Sequence, residues 1–167
     1  MELNTILELI SEYGVQIMLT ITFLEAMNCP GMPAGVVLPA AGVCAAGGDM
    51  PLWLAILLTV IGGIGGTLAM YLIGYVGGHP LLEWMKKRSD AVRRACDHCE
   101  EFLQKGGFAK LFIGRLLPVV RTLLPLPAGA LQVPFQLFLT ASALGILCYN
   151  TVFVCAGYFL GAAVILS

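Results

Sequence analysis

Two runs without a single charged side chain, 52–78 and 135–167, constrain this chain more than any other feature. At 27 and 33 residues, each exceeds the roughly 20 apolar residues a helix needs to cross a hydrocarbon layer about 30 Å thick. Both are predicted to be transmembrane helices, the second long or tilted. Composition agrees: 59% of the 167 residues are apolar and 11% charged, with a mean hydropathy of +0.90, where soluble domains carry about 25% charge. The chain reads as one all-α integral membrane domain, 1–167.

The other apolar stretches are too short to cross. Residues 14–24 are uncharged and end at Glu25, before Pro30, Pro33 and Gly35; a second short piece covers 36–48. Eleven helical residues rise only about 16 Å, half of a bilayer core. Two half-length pieces around a Pro/Gly break predict a re-entrant hairpin, tolerated at depth only where protein or a water-filled cavity covers it. Residues 108–117 and 123–133 repeat the pattern around Pro118, Pro125, Pro127 and Gly129. Upstream, residues 2–12 interleave acids with Leu3, Ile6, Leu7 and Ile10, an interfacial start; a single span over 2–25 is the alternative.

All nine Lys and Arg lie between Lys86 and Arg121. The positive-inside rule therefore puts 83–110 in the cytoplasm, and 81–105 reads as a basic amphipathic helix along an anionic leaflet. No basic stretch precedes the first apolar run, so a cleaved signal peptide is not expected. The basic segment carries no nucleic-acid motif, and nucleic-acid binding is excluded.

An internal repeat ties these pieces together. Leu38-Pro39-Ala40-Ala41-Gly42 resembles Leu126-Pro127-Ala128-Gly129, and Gly74-Tyr75-Val76-Gly77-Gly78 resembles Gly157-Tyr158-Phe159-Leu160-Gly161. Each half is a hairpin followed by a span, over 14–78 and 108–166. One crossing between two hairpins makes them inverted-topology repeats, an arrangement transporters use to build a site from discontinuous helices. Gly62, Gly66, Gly74 and Gly78 form two Gly-x-x-x-Gly pairs on the first span, a surface suited to a second helix and hence to a homo-oligomer. Tyr71 and Tyr75 read as interfacial anchors.

Inside the second hairpin stand two arginines, Arg115 and Arg121, flanking Pro118. Arginine at bilayer depth costs about 2.5–3.5 kcal/mol on insertion scales and persists chiefly where it lines a cavity or meets an anion. Pro118 would clash with the Gly114 carbonyl in a continuous helix, so the backbone should open between the arginines. The expected site is a gap presenting two guanidiniums, with Thr122 beside them and Glu25 of the first hairpin opposite. Six cysteines form no disulfide framework; Cys96 and Cys99 share a helical face, but two cysteines with few partners make no metal site. No cofactor is expected.

Gly114-Arg115-x-x-Pro118-x-x-Arg121-Thr122 followed by Ala128-Gly129 resembles the signature of the DedA (VTT-domain, SNARE-associated) membrane proteins, as do Phe23-Leu24-Glu25, Pro30 to Pro33 and Leu38-Pro39-x-x-Gly42. The similarity runs through nearly the whole chain from about residue 14. It implies two opposed re-entrant loops, a bacterial inner-membrane location, and movement of lipids across the membrane, notably undecaprenyl phosphate, often with proton coupling. It assigns function to Glu25, Arg115 and Arg121. The chain departs from the family in having Gly35 where a second acid usually follows the Pro-Gly turn, and in lacking an acid near Thr67, an arginine near Tyr75 and a tryptophan near Tyr149.

The sequence thus predicts a flippase for an anionic lipid, with undecaprenyl phosphate or a related polyprenyl phosphate first. The alternatives are a less selective phospholipid scramblase and a proton-coupled carrier of small ions. No enzyme is expected, because a phosphatase would need a nucleophile or metal ligands beside the arginines.

Overall fold

The computed structural model describes residues 3–27, 35–48, 50–87, 93–94, 97, 101, 108–117, 121 and 123–165, with backbone alone for 3–13, 85, 110 and 165. Among the described residues the ordered elements are helices: α1 Leu3–Ala26, α2 Val37–Ala46, α3 Leu52–Lys86, α4 Phe108–Leu116, α5 Pro125–Ala130 and α6 Phe135–Ile165. Two of them, over Leu52–Trp84 and Phe135–Val164, are long and apolar enough to cross a membrane, whereas Gly14–Ala26 and Val37–Ala46 are not.

Local chemistry sets the helix ends. Gly14 adopts φ 51°, ψ −119°, and so divides α1 where the acid-bearing start gives way to uncharged sequence. A second left-handed link stands where the uncharged run 52–78 stops. Gly78 takes φ 54°, ψ −154°, and helix resumes through Pro80 to Lys86. Pro80 then lies in the opening turn of a new helical piece, where its missing N–H costs nothing. Of the basic connector, the described part includes Lys86, whose ammonium meets Asp97 at 2.9 Å and Glu83 at 3.9 Å. Cys96 and Cys99 lie outside the described residues.

The chain divides into two units, Met1–Gly66 with Leu147–Ser167, and Thr67–Ile146. In the first, α2 lies against the distal half of α6 at backbone contact. A Cβ on Gly42 would run into the Val154 carbonyl and the Tyr158 amide, and one on Gly157 would strike the backbone of Pro39. The C-terminal piece of α1 rests on the proximal half of α3, where a Cβ on Gly62 would stand 2.9 Å from the Leu19 carbonyl oxygen. Met18, Leu38, Ala41, Ala55 and Val154 fill the core between them.

The second unit repeats this packing with other residues. A Cβ on Gly129 of α5 would hit the Tyr71 carbonyl and the Tyr75 amide, and one on Gly74 would hit the Leu126 carbonyl. Its core is Tyr71, Leu111, Leu124, Ala128, Phe138 and Ala141. Gly42 and Gly129, and Gly74 and Gly157, are the glycines that the two short sequence matches set side by side, and each makes such a backbone contact within its own unit. Gly62, Gly66 and Gly74, read as a surface for a second copy, meet the chain's own α1 and α5. Tyr71 is likewise core rather than anchor, 3% exposed with its hydroxyl donating to the Val133 carbonyl at 2.7 Å, while Tyr75 stays half exposed.

Candidate functional site

The arginine predicted to present charge to a ligand is buried. Arg115 stands in the last turn of α4 with 3% of its surface exposed. Its guanidinium is spent within its own unit: Nε and Nη2 donate to the Ser142 hydroxyl at 3.1 and 2.8 Å, and Nη1 donates to the Thr67 hydroxyl at 3.4 Å and the Arg121 carbonyl at 3.0 Å. Its Cζ lies 5.1 Å from the centroid of the Phe138 ring, a cation–π contact that strengthens where water is absent. One side chain therefore ties together α3, α6 and the chain at residue 121. Thr67, near which the resemblance implies an acid, offers a neutral acceptor instead.

Residue spacing on α6 makes room for Arg115 this far inward. Phe138, Ser142 and Gly145 recur at i, i+4 and i+7 and share a stripe of α6. Gly145 lets α4 come close, since a Cβ there would stand 2.5 Å from the Arg115 Cβ. Ser142, Thr67, Phe138 and Gly145 were not read as site residues. The available signal was a lone serine between an aromatic and a glycine on one face of an otherwise apolar helix.

Arg121 is half-buried, and its amide donates to the Leu117 carbonyl at 2.9 Å, a helix-like i to i−4 bond across the segment expected to open. Its carbonyl accepts from Arg115 Nη1. Pro118 and Thr122 lie outside the described residues. Pro125 and Pro127 sit buried in α5 with Gly129, Pro125 opening the helix.

Glu25 closes the first unit's hairpin. It is 4% exposed at the end of α1, and its Oε1 accepts the Gly35 amide at 3.3 Å. Gly35 has φ 87°, a conformation a side chain would resist. The residue standing in for the family's second acid thus supplies a backbone donor to the first. Pro30 and Pro33 lie outside the described residues. Among the described residues no group of three His, Cys, Asp or Glu side chains is placed to hold a metal.

Comparison with known sequences places this geometry in a family. The VTT domain profile matches residues 32–159. The uncharacterised membrane protein YkoX of Bacillus subtilis is 35% identical over 152 residues, covering 91% of this chain and 65% of the relative. Undecaprenyl phosphate transporter A of the same bacterium is 33% identical over 131 residues, covering 78% and 66%. Protein DedA of Escherichia coli is 31% identical over 162 residues, covering 92% and 73%. The chain thus spans about two thirds of the length of the first two. No solved structure gives a significant match.

Proposed function

We propose, from the premise that this chain belongs to the VTT-domain (DedA) family of membrane proteins, that it moves an anionic lipid across a bacterial plasma membrane. The lipid named first is undecaprenyl phosphate or a related polyprenyl phosphate, the cargo in the name of one relative. The observation that carries the reading is Arg115, a guanidinium 3% exposed inside an apolar helical unit and bonded to a neighbouring arginine's backbone. A cation so placed is a costly feature, of the kind retained in membranes for function.

In this reading the two hairpins are re-entrant and inverted with respect to one another, joined by a cytoplasmic connector within 83–110. Arg121 and Thr122 meet the phosphate, while Arg115 acts as a positioning residue that sets the direction of residue 121. Guanidinium suits a phosphate because its planar fork can donate two parallel bonds. Carrier chemistry fits the site better than phosphatase chemistry. The hydroxyl nearest the buried arginine, Ser142, is itself 3% exposed and already accepts two bonds from Arg115.

The direct test is transport of labelled polyprenyl phosphate by purified protein in proteoliposomes. Arg121→Lys keeps the charge and loses the fork, a difference of about 1.5–3 kcal/mol for one charge-assisted bond, so transport should fall about tenfold or more. Undiminished transport would refute phosphate recognition by Arg121. The proton-coupled alternative rests on Glu25, which is buried and bonded to Gly35. If that carboxylate carries the proton, Glu25→Gln makes transport independent of pH; an unchanged pH profile removes the residue from any coupling.

A further inference from the structure

The two hairpins return to their long helices by arms of unequal length. Beyond the glycine that touches the long helix, α2 continues from Gly42 to Ala46 and turns back at Gly48, φ 89°. The extra turn places Val43 and Ala46 over Gly161, each about 3.1 Å from where its Cβ would stand. In the other unit α5 ends at Ala130, one residue after Gly129, and the chain turns at Gln132, φ 54°. Beside that early turn lies an open cavity of about 430 Å³, with Tyr71, Leu72 and Tyr75 of α3 on one side and Gln132, Pro134 and Phe135 across from them.

We propose that the cavity beside this early turn receives the hydrocarbon chain of a membrane phospholipid, with the Gln132 amide at the level of its ester groups. The size is that of a small-molecule site, and the walls are aromatic and aliphatic with one side-chain amide at the rim. The cavity is continuous with the outward face of a membrane-length helix. Leu72, Tyr75 and Val76, at i, i+3 and i+4, are 53%, 51% and 85% exposed. A chain in the adjoining bilayer can therefore enter without crossing water.

The rings argue against a quaternary ammonium headgroup. Tyr71 lies nearly parallel to Tyr75 at 6.2 Å and is tilted 59° to Phe135 at 5.9 Å. Two of the three rings are nearly coplanar in orientation and so do not box in a cation from several sides, and the lining carries no carboxylate. The strained left-handed conformation at Gln132, unusual for a residue with a Cβ, keeps the turn tight and the mouth open. The proposal depends on membrane embedding alone, so a failure of polyprenyl phosphate transport leaves it standing.

The test uses wild-type protein in phosphatidylcholine vesicles containing a phospholipid with a photoactivatable diazirine near the carboxyl end of one acyl chain. Adducts are mapped by mass spectrometry. Tyr71, only 3% exposed, should be labelled to the level of outward-facing Val76, while Tyr149, 9% exposed and in the other unit, should not. Leu72→Trp fills the cavity and should remove the Tyr71 adduct while keeping that on Val76. Labelling confined to outward side chains, equal labelling of Tyr71 and Tyr149, or a Tyr71 adduct that survives Leu72→Trp would overturn the proposal. Should that variant fail to fold, the wild-type ratio of Tyr71 to Tyr149 decides alone.

Discussion

Arg115→Lys is expected to destabilise the protein more than Arg115→Ala, and neither variant should transport. Alanine removes a charge that was costly to bury. The Ser142 and Thr67 hydroxyls can then turn back onto carbonyls of their own helices, so the chief orphan is the Arg121 carbonyl, at about 1–3 kcal/mol. Lysine keeps a charge at a position 3% exposed, and its compact ammonium cannot span Ser142, Thr67 and the Arg121 carbonyl as the fork does. A buried charge left partly unsatisfied costs about 3–5 kcal/mol. Thermal unfolding in detergent, followed through Trp53 and Trp84, should rank wild type above alanine and alanine above lysine. A lysine variant as stable as wild type would show that fork geometry is not what holds the site.

The second large effect is expected at Gly129. Even alanine there places a Cβ into the Tyr71 carbonyl and within 2.7 Å of the Tyr75 amide. Both are backbone atoms of a membrane-length helix and cannot step aside as a side chain can. Overpacking of this kind costs about 1–3 kcal/mol and occasionally more, and here it also separates α5 from α3, which the small residues hold together. Gly129→Ala should sharply reduce the monodisperse fraction on size exclusion, and Gly42→Ala should do the same through Val154 and Tyr158. Gly65→Ala is the control, because its Cβ meets only the Phe23 ring at 3.2 Å. Equal tolerance at 65 and 129 would contradict backbone-to-backbone packing.

The spans and breaks were readable because each rests on a rule with little competition. A run of 27 uncharged residues has few soluble uses, and Pro125, one of the residues around which the second break is predicted, opens α5. The close approaches were readable for the same reason: the glycines that allow them are spelled out at 42, 74, 129 and 157.

Other features stayed hidden for physical reasons. The second arm was expected over 123–133 and is helical only over Pro125–Ala130, since the turn at Gln132 uses a left-handed conformation where the sequence offers no glycine. Arg115 was assigned to a ligand because a cation in apolar sequence asks for an anion. The structure gives it two hydroxyls, a carbonyl and a ring, partners brought from α3, α6 and residue 121, which pattern along one segment cannot reveal.

The most direct test of the carrier reading compares headgroups with purified wild-type protein. Polyprenyl phosphate and phosphatidylcholine carrying the same label are reconstituted at matched density, and their flipping rates are measured by accessibility to an external quencher. Recognition by Arg121 predicts that the phosphate monoester moves about tenfold faster or more, the worth of one charge-assisted bond, and that Arg121→Lys brings its rate down toward that of phosphatidylcholine. Equal rates for the two lipids in the wild type would contradict it.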